Sequence, residues 1–485
     1  MLILPQTGGL GLYYVQPTRV PGRLLRIVGS DALEQLNPAL AEADGGESET
    51  SAARAAHRPS GPPGVPLSLA ANFRWAFAGN VVYAACQWGM LSVLARLGTA
   101  EAVGQFVLGL SIAAPIMALT MLQLRSVQVT DVHEAFTFAD YFGTRIVWTI
   151  AGLIAIVVCA SVGGEDRGTF WVVVLVGMMK GVDSLSDIVR GLFQHRERMD
   201  LSGISLMVKG PASLLALALV MGLTGSVVFA SAAAALVWAV SFATYDLFYA
   251  NRLLAPEVAV PKSGQRIRPR FRLGVMGRLT WTAFPLGIVM AVISLQTNIP
   301  RYVLQSCAGS KLLGYFGAIV YPVMAGMMVT TAMGQSASPR LARYFAEDLT
   351  AFVRLLSQLS GISAALAIAM IVGTYTIGDR VLWLLYGAEY TAYYREFVVV
   401  VVAWGVQLVS SCWGYGLTAA RHFRTQVGLT GASCVATVGA AFVFIPRYGV
   451  MGAALSVLVT SVAMAIGYAV AMFWAVRAKR RQGVS

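Results

Sequence analysis

Four ionisable residues lie on one face of an apolar stretch. From Thr169 the chain runs through ten largely apolar residues to Lys180, then reaches Asp183, Asp187 and Arg190. Spacings of three, four and three residues place all four on one side of a helix. A charge at the centre of a bilayer costs about 2.5–3.5 kcal/mol on insertion scales, so a membrane helix keeps such a stripe for a purpose. A helix entering near Thr169 from outside carries Lys180 about 16 Å down, at 1.5 Å per residue, which is mid-membrane. The next apolar stretch returns from the other side with Lys209 about 10 Å in, at the depth of Lys180 and Asp183. Two chemistries are open. Lys180 and Lys209 could neutralise Asp183 and Asp187 in an internal salt-bridge network that holds two helices together. Alternatively the stripe faces a wet cavity, where its cations meet an anionic group and a carboxylate titrates or binds a coupling ion. Apolar packing would join two helices without any insertion cost, which favours the second reading.

Other polar residues are weaker signals. Asn298-Ile299-Pro300-Arg301-Tyr302 closes a later apolar stretch on its outer side. Arg301 there either snorkels to phospholipid headgroups or offers a planar fork to phosphate at a cavity mouth. Asp246, near the end of its stretch, is expected at the interface. Asn80 and Gln87 are expected to make helix–helix hydrogen bonds. Pro115, Pro211, Pro285 and Pro322 fall within apolar stretches, where kinks are expected. Cys86, Cys159, Cys307, Cys412 and Cys434 show no CxxC spacing and read as small core residues, without metal or disulfide roles.

The elements that carry these residues are membrane helices. Hydrophobic residues make up 57% of the 485 and charged residues 12%, far from the balance of a soluble domain. Apolar stretches predict twelve spans, at 73–95, 103–124, 144–163, 169–189, 202–223, 226–249, 279–299, 312–333, 355–376, 397–419, 425–445 and 450–475. With both ends inside, cytoplasmic links carry 22 Lys and Arg and outer links carry 7. One missed span would invert every later link, so this bias supports the count and an N-in, C-in topology. It also accounts for the net charge of +13 without nucleic acid. Residues 1–70 read as a cytoplasmic tail without a fold of its own, or as the product of a start codon set too far upstream. The expected organisation continues with a six-helix half at 71–250 and a basic cytoplasmic linker at 251–278. A second six-helix half at 279–476 and a basic tail at 477–485 complete it. The fold class is an all-α polytopic membrane protein, its two six-helix lobes set around a central cavity.

Several ordered stretches then resemble one family. They are Gly79-Asn80-Val81-Val82-Tyr83, Gln87-Trp88, Gly104-Gln105-Phe106 and Leu122-Gln123-Leu124-Arg125. Further along come Ser186-Asp187, Gly191-Leu192-Phe193-Gln194, Lys209-Gly210, the Arg301 segment, and Gly334 to Ala342. Over roughly 72–475 the chain resembles Wzx-type oligosaccharide flippases of the multidrug/oligosaccharidyl-lipid/polysaccharide exporter (MOP) superfamily. The resemblance implies a transporter of the bacterial inner membrane, not an enzyme. It would carry undecaprenyl-diphosphate-linked repeat units of O-antigen, capsule or exopolysaccharide, for lipopolysaccharide or other surface polysaccharide, to the periplasmic leaflet by alternating access. It further implies no cofactor, a proton or sodium gradient as the driving force, and the polymerase and glycosyltransferases of the pathway as partners. Lys180, Lys209, Arg301 and Arg125 become candidate substrate contacts, although a cytoplasmic helix end alone explains Arg125. Asp183 and Asp187 become candidate coupling or ion-pair residues. Asp183 departs from the pattern, standing where a longer Glu is expected. A cation-coupled multidrug antiporter of the same superfamily is the alternative; it would need an acidic, aromatic pocket. A membrane polymerase or glycosyltransferase would need a platform outside the bilayer, and the largest outer link is only about 377–396.

Overall fold

Backbone hydrogen bonds cannot be left open in lipid, so each apolar stretch closes on itself as a helix. The computed structural model describes residues 67, 69–131, 135–254 and 268–482, and the regular elements among them are all helical. Nearly all of the expected N-terminal tail and residues 255–267 of the basic linker lie outside the described residues. The first six spans are Leu69–Leu97, Ala100–Val129, Phe138–Val162, Arg167–His195, Met199–Thr224 and Val227–Leu254. A helix continuous from Leu273 to Val320 follows, yet 48 residues would extend about 70 Å, more than twice the hydrocarbon thickness. Gly309, at φ 75° and ψ 179°, breaks it into two passes, a conformation open to glycine because it lacks a Cβ. The seventh span is therefore 273–308 and the eighth 310–347, interrupted by a 3-10 turn at Tyr321–Val323 that contains Pro322. Leu349–Tyr386, Tyr394–Ala419, Phe423–Tyr448 and Val450–Gln482 complete the set. All twelve expected spans are found.

Among the described residues, ten helices pass a simple test of length and apolarity for membrane crossing, counting 273–323 as one. The fourth span, which carries Lys180, Asp183, Asp187 and Arg190, and 324–347, which carries Arg340, Arg343 and Glu347, are not among them. This is a multi-pass membrane protein.

Local chemistry fixes the helix ends. Asp166 accepts hydrogen bonds from the backbone N–H of Gly168 and Thr169 and starts the fourth span. Thr137 and Asp140 form a capping box that starts the third. Gly225, at φ 63°, closes the fifth. In the first half, the first span packs on the fifth, and the fourth on the second, third and sixth. In the second half, the twelfth packs on the tenth and eleventh, and the ninth on the tenth. The halves meet where the second span lies along the seventh and eighth. A Cβ on Gly104 would fall 1.7 Å from the Ser310 carbonyl oxygen, and one on Gly314 would fall 1.9 Å from that of Ala100. These two glycines permit a backbone-to-backbone crossing that no side chain would allow.

Candidate substrate site

The ionised stripe of the fourth span is buried and meets partners from four other spans. Asp187 is the centre of its inner part. Its carboxylate lies 3.1 Å from Arg125 Nη1, 3.4 Å from Arg145 Nη2 and 3.7 Å from Arg190 Nη2. Arg145 also donates to the Met121 carbonyl, and Arg125 to Gln194 Oε1. One turn nearer the periplasm, Asp183 lies 3.2 Å from Arg190 and 4.0 Å from Lys209. Lys209 donates to Ser186 Oγ at 2.8 Å and sits 3.8 Å from Asp246, which accepts from Ser205 Oγ at 2.6 Å.

Lys180 stands apart from this network. Among the described residues it has no carboxylate within ion-pair distance, and its Nζ lies 4.9 Å above the Trp238 ring. Lys209 Nζ lies 5.5 Å from the same ring. A tryptophan face stabilises a nearby cation but does not neutralise it. Five cations (Arg125, Arg145, Lys180, Arg190 and Lys209) therefore stand against three carboxylates (Asp183, Asp187 and Asp246). Among the described residues the cluster thus holds two more cations than carboxylates. Breaking a buried pair by removing one partner is destabilising by about 3–5 kcal/mol, so an excess of this kind calls for a counter-anion.

Several sequence expectations are revised. Of the expected lysine–aspartate pairs, Lys209–Asp183 is found, at 4.0 Å, whereas Lys180 pairs with neither aspartate among the described residues and arginines hold Asp187. Arg145, at the inner edge of the expected span 144–163 and counted among the basic residues of the cytoplasmic link before it, is fully buried because the third span starts at Phe138, two turns earlier. Asp246, expected at the interface, is fully buried because the sixth span continues through a π-turn at Phe242–Asp246 to Leu254. Arg301 does not snorkel. The seventh span runs on to residue 308, which leaves Arg301 about 10 Å below the helix end. It is 2% exposed and donates to Asn298 Oδ1 at 2.7 Å. It lies in the other half, away from the lysine cluster's network, and no carboxylate pairs with it among the described residues. Asn80 bonds within its own helix, to the Ala76 carbonyl, while Gln87 is buried with its amide nitrogen unpartnered. All five cysteines are free, but Cys159 and Cys307 are exposed, not core. Among the described residues, no group of three or more His, Cys, Asp or Glu could hold a metal ion.

The outer ends of the halves are tied together. Trp88 Nε1 donates to Tyr386 Oη at 2.8 Å, and Arg96 donates to the carbonyls of Trp383 and Leu384. Solved structures share this architecture. An inward-facing MATE-family multidrug resistance transporter of the MOP superfamily aligns at TM-score 0.63 and 13% identity, over 84% of this chain and 99% of that one. An outward-facing one aligns at only 0.51, with 14% identity over 86% and 100%. The chain has the MATE transporter fold. A MOP-superfamily transporter from Pyrococcus furiosus, described by a binding pocket of reversed polarity that suggests a different function, aligns at 0.55. It is 15% identical, over 84% of this chain and 94% of that one. In sequence, the chain is 25% identical over 402 residues to the capsular polysaccharide biosynthesis protein CapF of Staphylococcus aureus. That alignment covers 82% of this chain and 97% of the relative. No family model matches the sequence.

Proposed function

We propose that the protein is a flippase of the bacterial inner membrane that moves an anionic, lipid-linked oligosaccharide from the cytoplasmic to the periplasmic leaflet. The observation that carries this reading is that Lys180, and in the opposite half Arg301, are buried cations that no carboxylate pairs with among the described residues. A diphosphate linked to a prenyl chain would compensate both while its tail stays in lipid. Likeness to a capsular polysaccharide biosynthesis protein supports a role in making surface polysaccharide. The MATE fold supports alternating access, and the tied outer ends suit a chain open to the cytoplasm. A drug-exporting antiporter would share that fold, but a cationic drug would meet repulsion at this site. Lys180 and Arg301 contact the substrate directly. Lys209 and Arg125 are held by carboxylates and would contribute only as those pairs open, while Asp183, Asp187 and Asp246 are the groups able to take up a proton or sodium ion.

The test is transport of a fluorescent lipid-linked oligosaccharide by proteoliposomes bearing the whole chain. Lys180→Gln and Arg301→Gln should each insert normally yet leave substrate in the original leaflet. Wild-type transport by the double variant would overturn the reading.

A further inference from the structure

Among the described residues, eleven buried side-chain polar atoms of the first half have no hydrogen-bond partner, and four of them are Tyr83 Oη, Gln87 Nε2, Lys180 Nζ and Trp238 Nε1. Their residues are 6%, 7%, 6% and 0% exposed. Buried polar groups in native proteins are nearly all satisfied, so four orphans in one place demand a cause. They also share a depth. Counting 1.5 Å per residue from the outer helix ends, Gln87 lies about 15 Å down, Trp238 about 17 Å, Lys180 about 20 Å and Tyr83 about 21 Å. Trp238 joins them: the Tyr83 ring centroid is 6.0 Å from that of Trp238, and Lys180 Nζ is 4.9 Å from the ring. Gln87 follows Tyr83 by one turn on the same helix face. Each of the four can donate a hydrogen bond, and one carries a full charge. Lys209, by contrast, already has Ser186, Asp183 and Asp246.

We propose that Tyr83, Gln87, Lys180 and Trp238 form one oxyanion-binding subsite, with Lys209 behind it as a positioning residue fixed by Asp183 and Asp246. The inference rests on the transport reading above and deepens it. Four donors, with the one nearby acceptor lacking a hydrogen bond, Asp246 Oδ2, already ion-paired to Lys209, fit a group that only accepts, such as a phosphate or carboxylate, better than a sugar hydroxyl, which also needs to donate. Two sources carry that chemistry: the diphosphate of the lipid carrier, and the carboxylate of an acidic sugar in the repeat unit.

Titration calorimetry on the whole chain in nanodiscs, with inorganic diphosphate, glucuronate and neutral glucose as probes, tests the proposal. At least one anion should bind more tightly than glucose, and the anion that does identifies the source. Tyr83→Phe and Gln87→Leu should each weaken that anion by about tenfold, the worth of a hydrogen bond to a charged group. Lys180→Gln should weaken it further, and Lys180→Arg should restore most of the loss. Thermal unfolding midpoints report whether each variant is folded, and Tyr83→Phe keeps the ring that packs on Trp238. Binding of no anion, glucose binding as tight as either anion, or wild-type affinity in both Tyr83→Phe and Gln87→Leu would each overturn the subsite. If those variants bind normally while Lys180→Gln still blocks transport, only the subsite fails. Normal transport by Lys180→Gln together with Arg301→Gln would remove the flippase reading itself.

Discussion

The two halves share a helical plan but not a charge plan. The first half buries seven of the eight charged groups of the lysine–arginine cluster, Arg125 being half-buried, whereas Arg301 is the one buried charged residue of the second half among those described. The first half devotes its interior to electrostatics. The second packs apolar and aromatic side chains, such as Tyr315, Tyr386 and Tyr390, against the outer end of the first. A shared backbone architecture thus does not impose a shared chemistry. One half supplies the field that holds an anion, and the other supplies a single complementary cation and the contacts that close the outer side.

The largest effect expected from disturbing this contrast is at Asp187. Asp187→Ala leaves Arg125, Arg145 and Arg190 facing one another, and should destabilise the first half by about 3–5 kcal/mol. The yield and unfolding midpoint of the purified chain report it. Arg145→Met in the same chain should recover part of the loss, a coupling that a double-mutant cycle measures. No equivalent sensitivity is expected in the second half, where Arg301→Gln should leave stability within about 1 kcal/mol while lowering transport about tenfold. A larger stability loss at Arg301 than at Asp187 would reverse the contrast. Next comes the outer closure. Arg96→Ala removes two hydrogen bonds to the ninth span and should favour the outward-open form by about 1–2 kcal/mol, read as a longer distance between spin labels on the first and ninth spans. The smallest effect is expected at Asp166, whose carboxyl the Thr169 hydroxyl holds below the usual carboxylate range. Asp166→Ala loses a helix cap in the first half and should destabilise by about 1 kcal/mol, with transport unchanged. Because the folded-state pKa is depressed, the cap's contribution is present above the ordinary aspartate pKa and fades as pH falls through the lower, folded value.

Much of the fold could be read from the chain because lipid demands about twenty apolar residues per pass, and that signal is strong in all but the fourth span and residues 324–347. Helix ends were harder. The third span starts six residues before its apolar stretch, which moves Arg145 from a link into the core, and the seventh outruns its apolar stretch by nine residues, which buries Arg301. Apolarity marks where lipid is, not where a helix stops among other helices. The stripe on the fourth span was legible from its spacing alone. Its partners were not. Asp246 depends on the register that a π-turn sets, and Tyr83, Gln87 and Trp238 look like ordinary membrane-helix residues until the fold leaves their polar atoms without partners. A buried aromatic or amide next to an in-span lysine at matching depth is the signal that could have found them.

The central claim is that the first-half cluster presents uncompensated positive charge to water and to substrate. A single cysteine at position 83 tests it, in a chain whose Cys86, Cys159, Cys307, Cys412 and Cys434 are replaced by serine, so that every cation of the cluster is kept. Reaction rates with an anionic sulfonate and a cationic trimethylammonium thiol reagent are compared at low and high salt. The account predicts reaction from the cytoplasmic side, with the anionic reagent at least tenfold faster and the preference shrinking as salt screens the field. No reaction in any state, or a preference for the cationic reagent, would contradict it.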